Sequence, residues 1–247
     1  MRLTVIGCGH LGATHAACMA EIGHEVLGID TDEDKVGLLN SGRAWFMEPG
    51  LDKLLARHTG SGRLRFTSSF EEAAAFGTVH FLFNSAGAAL RRSKFLDIDD
   101  KLFEQSFKLN VNGTFYAMQA VLPHMLANGA GVIVNMASMA HRRGGPGTSV
   151  HYAAAKGAVV SMTLGVAREF ADRGIRCLSI SPGPIRTPFQ AAAQTAPELM
   201  QRFLDDIPMK RFGEAEEIGE LVLFMCSDAC PFMTGDTVYA NGGGGWR

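Results

Sequence analysis

Residues 3–30, LTVIGCGHLGATHAACMAEIGHEVLGID, set three glycines at a spacing few local structures can use. An apolar run leads into Gly7, Gly9 and Gly12, a helical pattern follows, and a second apolar run closes on Asp30. Each glycine has a physical job in a strand–turn–helix. Gly7 permits the tight turn, Gly9 lets backbone approach a pyrophosphate, and Gly12 lets the helix pack close on the strand. The first N–H groups of the helix, near His10 and Leu11, and the positive end of its dipole favour phosphate. Asp30 can accept hydrogen bonds from both ribose hydroxyls and repels a 2′-phosphate, and no arginine follows it in DTDEDK. The expected cofactor is therefore NAD, with NADP disfavoured. A glycine turn kept only for packing is the alternative, and the acid at its proper distance weighs against it.

The rest of the chain extends the alternation. Apolar runs at 3–7, 24–30, 63–67, 78–83, 131–137, 175–181 and 237–240 read as strands buried on both faces of a parallel sheet. Helical faces lie between them: Leu11, His15, Cys18 and Ile22; Phe107, Val111, Met118, Leu122 and Met125; Ile218, Leu221, Val222 and Met225. Strand–helix alternation without linker or repeat predicts one doubly wound α/β domain over 1–247. A net charge of -2 argues against nucleic acid or an anionic membrane as partner. Five scattered cysteines suit reduced thiols in the cytoplasm, and no apolar stretch reaches the ~20 residues of a membrane span. No secretory leader is expected from MRLTVIG. Cys226 and Cys230 lack a second ligand pair, and His141 and His151 lack partners at ligand spacing, so no metal is expected.

Two resemblances follow. VIGCGHLGATHAACMAEIGHEVLGIDTDEDKVGLLNSGRAWFMEPGLDKLL, then GRLRFTSSFEEA, resembles the amino-terminal third of the UDP-glucose/GDP-mannose 6-dehydrogenase family. LLNSGRAWFMEPGLDKLL is its specific part, since no generic dinucleotide fold requires it. Those enzymes continue into a sugar-nucleotide domain with a nucleophilic cysteine, for which this chain has no counterpart.

From about residue 84 the text changes. NSAG at 84–87, LNVNGTFYAMQAVLPHML at 109–126, GVIVNMAS at 131–138, YAAAK at 152–156, SPGPIRTPF at 181–189 and RFGEAEEIGELVLFMCSDACPFMTGDTVYANGG at 211–243 resemble the short-chain dehydrogenase/reductase family. Tyr152 and Lys156, four apart on a helix, share a face. A phenol titrating near 10 needs a cation beside it to work as acid–base at neutral pH, and Lys156 is expected to lower its pKa. The resemblance further implies that Ser138 bonds the substrate oxygen and that Asn110 holds a relay water. It puts Asn84, Ala86 and Gly87 by the adenine ribose, and Pro182, Gly183, Ile185 and Thr187 around the nicotinamide. Tyr152 and Lys156 would contact the cofactor as well. Residues 188–211 match the family's mobile lid. Arg142 and Arg143 are read as a solvated loop.

The departures are informative. The short-chain family opens with TGxxxGxG, its adenine-contacting Asp is missing from RFTSSF, and Ser85 replaces the second Asn of NNAG. The reading is a recombined chain, with 1–83 from one family and 84–247 from the other, joined near 78–87. An engineered origin is preferred and a natural fusion stays open. Both parents order their first strands 3-2-1-4, so one seven-stranded sheet, 3-2-1-4-5-6-7, is expected. The expected activity is NAD(P)-dependent interconversion of a small secondary alcohol and its ketone. An idle NAD-binding scaffold and a truncated UDP-glucose 6-dehydrogenase are the rivals. Apolar residues on helices 100–127 and 152–172 predict a homotetramer or homodimer.

Overall fold

The computed structural model describes residues 2–69, 71–72, 79–145 and 147–244. Seven strands form one sheet in the order β3-β2-β1-β4-β5-β6-β7. They are β1 Arg2–Ile6, β2 Glu25–Ile29, β3 Leu64–Thr67, β4 Phe81–Asn84, β5 Gly131–Met136, β6 Ile175–Pro182 and β7 Thr237–Ala240. Every pairing is parallel. The order is the expected one, and strand limits differ from the apolar runs by a residue or so, except that β4 starts at Phe81. Thr78, at the head of that run, lies outside the described residues. Every residue of β5 is buried, as a central strand covered on both faces requires.

Helices α1 His10–Glu21, α2 Glu33–Asn40 and α3 Leu51–Gly60 precede β4. After it come α4 Asp100–Phe107, a π turn at Lys108–Asn112, α5 Gly113–Ala127, α6 Ala140–Arg143, α7 Val150–Phe170, α8 Phe189–Ala192, α9 Pro197–Asp205 and α10 Ala215–Cys226. Side chains of alternate parity feed two cores. Val5, Val26, Val134 and Leu178 meet α1, α3 and α10 on one face. Leu27, Leu82, Ile133 and Cys177 meet α5 and α7 on the other. Among the described residues no helix is long and apolar enough to cross a membrane.

Two helical faces differ from expectation. In α1 the buried stripe is Ala13, Ala16, Ala17, Met19 and Ala20, whereas Ile22 is 54% exposed. The first turn of the helix lies close on the strand end: a Cβ on Gly12 would stand 1.9 Å from the Gly7 carbonyl oxygen. Of the expected face, His15 alone is buried, its ring 4.6 Å from that of Phe83; nothing is described of the Leu11 side chain. Between α4 and α5 the π turn moves burial to Leu102, Ser106, Asn110, Thr114 and Met118, leaving Phe107 and Val111 half-buried. An extra residue in one turn shifts the face, and here it brings Asn110 inward.

The 31–62 crossover packs beside β2 and β3, with Leu39, Leu51 and Leu55 against Leu64 and Phe66. Asn40 closes the exposed edge of β3: its Nδ2 donates to Phe66 O at 2.8 Å and its Oδ1 accepts from Phe66 N at 2.9 Å. An edge strand whose polar groups are occupied is a poor template for another chain.

Candidate active site

Because the sheet is parallel, β1, β2, β4, β5 and β6 deliver Gly7, Asp30, Ser85, Ser138 and Gly183 to one edge. Helices leave β1 and β4 toward opposite faces, and ligands of such folds lie at that switch. Gly7 takes φ +87° and donates its N–H to Ile29 O at 2.8 Å. A Cβ there would stand 2.4 Å from Ala86 Cβ, so the glycine turn seats directly on the loop after β4. Around Gly9 nothing lies within 4 Å of a would-be Cβ, and Gly9 caps α1 without a side-chain bond. The N–H groups of His10, Leu11 and Gly12, in the first turn, have no acceptor in their own helix. This cradle fits a pyrophosphate. Trp45 and Phe46 flank it, 6.0 and 4.3 Å from the His10 ring, so the crossover reaches the phosphate turn as well as the sheet edge. Burial, aided by the Lys35 charge, holds the His10 imidazole below its usual pKa.

Asp30 accepts from Cys8 N at 3.0 Å through Oδ2 and from Asp32 N at 3.1 Å through Oδ1. The Lys35 ammonium, within DTDEDK itself, stands 3.7 Å from Oδ1. A helical turn beyond Asp32 carries it back, so the acid is not the unaccompanied charge that the sequence suggested.

A cleft of about 330 Å³ opens beside this edge, lined by Ser138, Tyr152 and Lys156. Gly87, Pro182, Gly183, Ile185 and Thr187 share its wall. Tyr152 and Lys156 are 7% and 2% exposed, one turn apart on α7. Lys156 Nζ donates to Met136 O at 2.7 Å, the one bond that lets an ammonium sit there. Ser138 lines the same cleft as the Tyr152 phenol, and its Oγ accepts from Ala140 N at 3.2 Å. Behind them His141 holds the Ser138 carbonyl through Nδ1 at 2.6 Å.

Burial pushes the Tyr152 phenol up to about 12, against the Ser138 hydrogen bond and the Arg92 charge. Burial likewise brings Lys156 down to about 8. Lys156 was expected to be the group that lowers Tyr152. Instead Ser138 and Arg92 do so, because Nζ turns toward Met136 and lies 5.8 Å from the phenol ring centre.

Asn110 is fully buried. Its amide is taken up by backbone: Oδ1 accepts from Ala88 N at 3.1 Å, and Nδ2 donates to Ala88 O at 3.0 Å and Ser106 O at 2.9 Å. It clamps the loop after β4. A Cβ on Gly87 would meet Asn110 Oδ1 at 2.6 Å and Lys156 Nζ at 2.9 Å, so only glycine lets these groups converge. Asn84 turns inward, 3% exposed, donating to Asn135 Oδ1 at 2.8 Å. Gly183 bonds Ala240 O at 2.9 Å, and Ile185 pairs with Gly213, fixing the turn that carries Thr187. Thr187 Oγ1 accepts from Phe189 N at 3.4 Å. Gly7 to Gly12 and Asp30 lie outside the cleft wall, joined to it through Ala86.

Sequence reasoning missed Arg92, Ser149, Phe189 and Gln190, all of which line the cleft. Arg143, read as solvated, also faces it, 28% exposed and paired with Asp206 at 2.7 Å. α6 and the lid fold over Ser138 and enclose what linear text shows as a polar loop. Among the described residues no group of three or more His, Cys, Asp or Glu side chains is placed to hold a metal ion.

The family described as enoyl-(acyl carrier protein) reductase matches residues 64–244. The NAD-binding domain of the UDP-glucose/GDP-mannose dehydrogenase family matches residues 1–89, overlapping it. Dehydrogenase/reductase SDR family member 6 from Rattus norvegicus is 32% identical over 238 residues, 94% of this chain and 92% of that protein. 2-Keto-3-deoxy-L-fuconate dehydrogenase from Xanthomonas campestris pv. campestris is 37% identical over 175 residues. That alignment spans 69% of this chain and only 58% of the relative's length. The crystal structure of NAD+-bound xylitol dehydrogenase superposes with a TM-score of 0.82 at 28% identity, covering 98% of each chain. Together with the strand order and the Ser–Tyr–Lys cleft, these matches show that the chain is an oxidoreductase of the short-chain dehydrogenase/reductase family.

Proposed function

We propose that the chain interconverts a small secondary alcohol and its ketone with NAD, through Ser138, Tyr152 and Lys156. The observation that carries this reading is the convergence of a phenol, a serine hydroxyl and a buried ammonium on one cleft. In the reduction direction Ser138 donates to the substrate carbonyl oxygen and Tyr152 gives its proton as alkoxide develops there. Lys156 keeps positive charge beside the phenol, and Asn110 and Gly87 hold the loop that lets it reach. Oxidation runs the proton back. NAD, when bound, supplies the hydride acceptor. Gly7, Gly9 and Gly12 with the N–H groups of His10 and Leu11 hold the pyrophosphate, and Asp30 takes the ribose, favouring NAD over NADP. Ala86 and the Asn84 backbone line the adenosine side, and Pro182, Gly183, Ile185 and Thr187 take the nicotinamide.

The similar proteins named for 2-keto-3-deoxy-L-fuconate and xylitol support a small, hydroxyl-rich substrate. We read the chain as one Rossmann domain of mixed descent, joined near 78–87 where Gly7 meets Ala86. Exposed Phe103, Phe115, Tyr116 and Leu164 support a homotetramer or homodimer, and five free cysteines support a reducing, cytoplasmic setting.

The test is a fluorescence titration with NADH followed by alcohol and ketone panels on the parent and Tyr152→Phe. The variant should bind NADH normally while kcat falls about 10²–10⁴-fold. Comparable turnover would remove Tyr152 from the mechanism. NADH binding with no turnover in the parent would leave a cofactor-binding scaffold.

A further inference from the structure

We propose that the cleft is built for an anionic alcohol or ketone, whose carboxylate is held by Arg92. This deepens the alcohol–ketone reading and rests on it. Arg92 follows β4 and stands half-buried in the cleft wall. Its Nε donates to Thr195 Oγ1 at 3.2 Å, and its terminal nitrogens donate to Ser149 Oγ at 3.0 Å and Gln190 Oε1 at 2.9 Å. All three acceptors are neutral. Among the described residues no carboxylate lies within ion-pair distance of it, whereas its exposed neighbour Arg91 pairs with Asp99 at 2.9 Å. A guanidinium withdrawn from water without a counter-charge is costly.

A guanidinium has five N–H donors, so three bonds leave one free on each terminal nitrogen, the fork that grips a carboxylate with two bonds. Other charges facing the cleft do not supply the missing anion. Asp206 is committed to Arg143 at 2.7 Å, and Arg202 adds a further positive charge. His151, beside Arg92, is held toward its neutral form by burial. Arg92 shares the wall of this one cleft with Ser138 and Tyr152, so one short molecule can place its carboxylate on Arg92 and its carbinol at Tyr152 and Ser138.

A competing role is mechanical, because the same three bonds tie the lid residues Gln190 and Thr195 to the start of α7 through Ser149. Substrate charge separates the two. The full chain with NAD is assayed on short hydroxy acids, each beside its own uncharged amide. The acid should be preferred on the order of tenfold or more in kcat/KM, chiefly through KM. Arg92→Gln should bring that ratio close to one, and Arg92→Lys should keep part of it. Gln190→Leu with Thr195→Val loosens the latch but keeps the charge, and should preserve the ratio. Equal use of acid and amide by the parent, or an unchanged ratio in Arg92→Gln, overturns the proposal. If neither acid nor amide turns over, the alcohol–ketone reading fails instead. Titration of the NADH complex with short oxo acids then decides the anion site alone: binding lost in Arg92→Gln supports it, and equal binding overturns it.

Discussion

The two ends of the cofactor edge are made differently. At the glycine-turn end the groups on offer are backbone: N–H groups of α1, a left-handed Gly7, and glycines where a side chain would collide at 1.9 or 2.4 Å. At the cleft end they are buried side chains, with loss of water pushing Tyr152 up to about 12 and Lys156 down to about 8. A backbone site needs only its strand–turn–helix and a neighbour to rest on. It can be taken from another family wherever strand order is shared. A side-chain site depends on everything packed around it, which here comes from β4 onward.

The largest expected effect tests the backbone end. Gly12→Ala forces a methyl into the Gly7 carbonyl, and the helix must shift off the strand. We expect a loss of about 1–3 kcal/mol of stability together with NADH binding. Gly9→Ala separates the two effects, because Gly9 has φ -64° and open space around it. It should keep its melting temperature and lose NADH affinity, since the methyl stands where phosphate approaches. Thermal melts and fluorescence titrations read both. A Gly9→Ala chain that binds NADH as the parent does would show that the pyrophosphate lies elsewhere.

That contrast explains what could be read from the linear text. The sheet order was legible because both resembled families share it, and the places of Gly7 to Gly12, Asp30 and the Tyr152–Lys156 pair because each depends on near neighbours in sequence. Arg92 was not, since its meaning comes from Ser149 and Gln190, brought to it by α7 and the lid. Asn110 was legible by position, whereas the clamp its amide makes on Ala88 depends on the π turn. Lys35 stands in plain view within DTDEDK. Only the fold of α2 shows that it returns to Asp30.

The next effect sharpens the side-chain end. Ketone reduction uses the protonated Tyr152 phenol with the Lys156 ammonium beside it. Burial brings Lys156 down to about 8 and pushes Tyr152 up to about 12, so the ammonium is lost as pH rises through about 8 while the phenol keeps its proton. Reduction should therefore be flat below about 8 and fall above it. Lys156→Met should remove that step from the profile of kcat against pH. A profile that keeps the step in the variant would assign it to another group.

The smallest effect joins the two ends and concerns Lys35. Its ammonium offsets part of the Asp30 charge from 3.7 Å and lies 5.1 Å from the Trp45 ring centre, tying the crossover to the adenosine side. Removing it in Lys35→Ala leaves Asp30 more negative, so NADP, with its 2′-phosphate, should be rejected more strongly. The pair is about a third exposed on the lysine side, which limits the change to about twofold to fivefold in the NAD/NADP ratio of kcat/KM. High salt should shrink the change further. Asp30→Ala should act in the opposite sense, since Lys35 then faces the phosphate unopposed. Neither substitution should alter kcat at saturating NAD, because the backbone end holds the cofactor and takes no part in proton transfer. A Lys35→Ala chain that accepts NADP more readily would show that Lys35 does not offset Asp30 and would overturn this account of cofactor choice. A changed kcat would mean that the crossover governs chemistry as well as binding, and the separation between the two ends would fail.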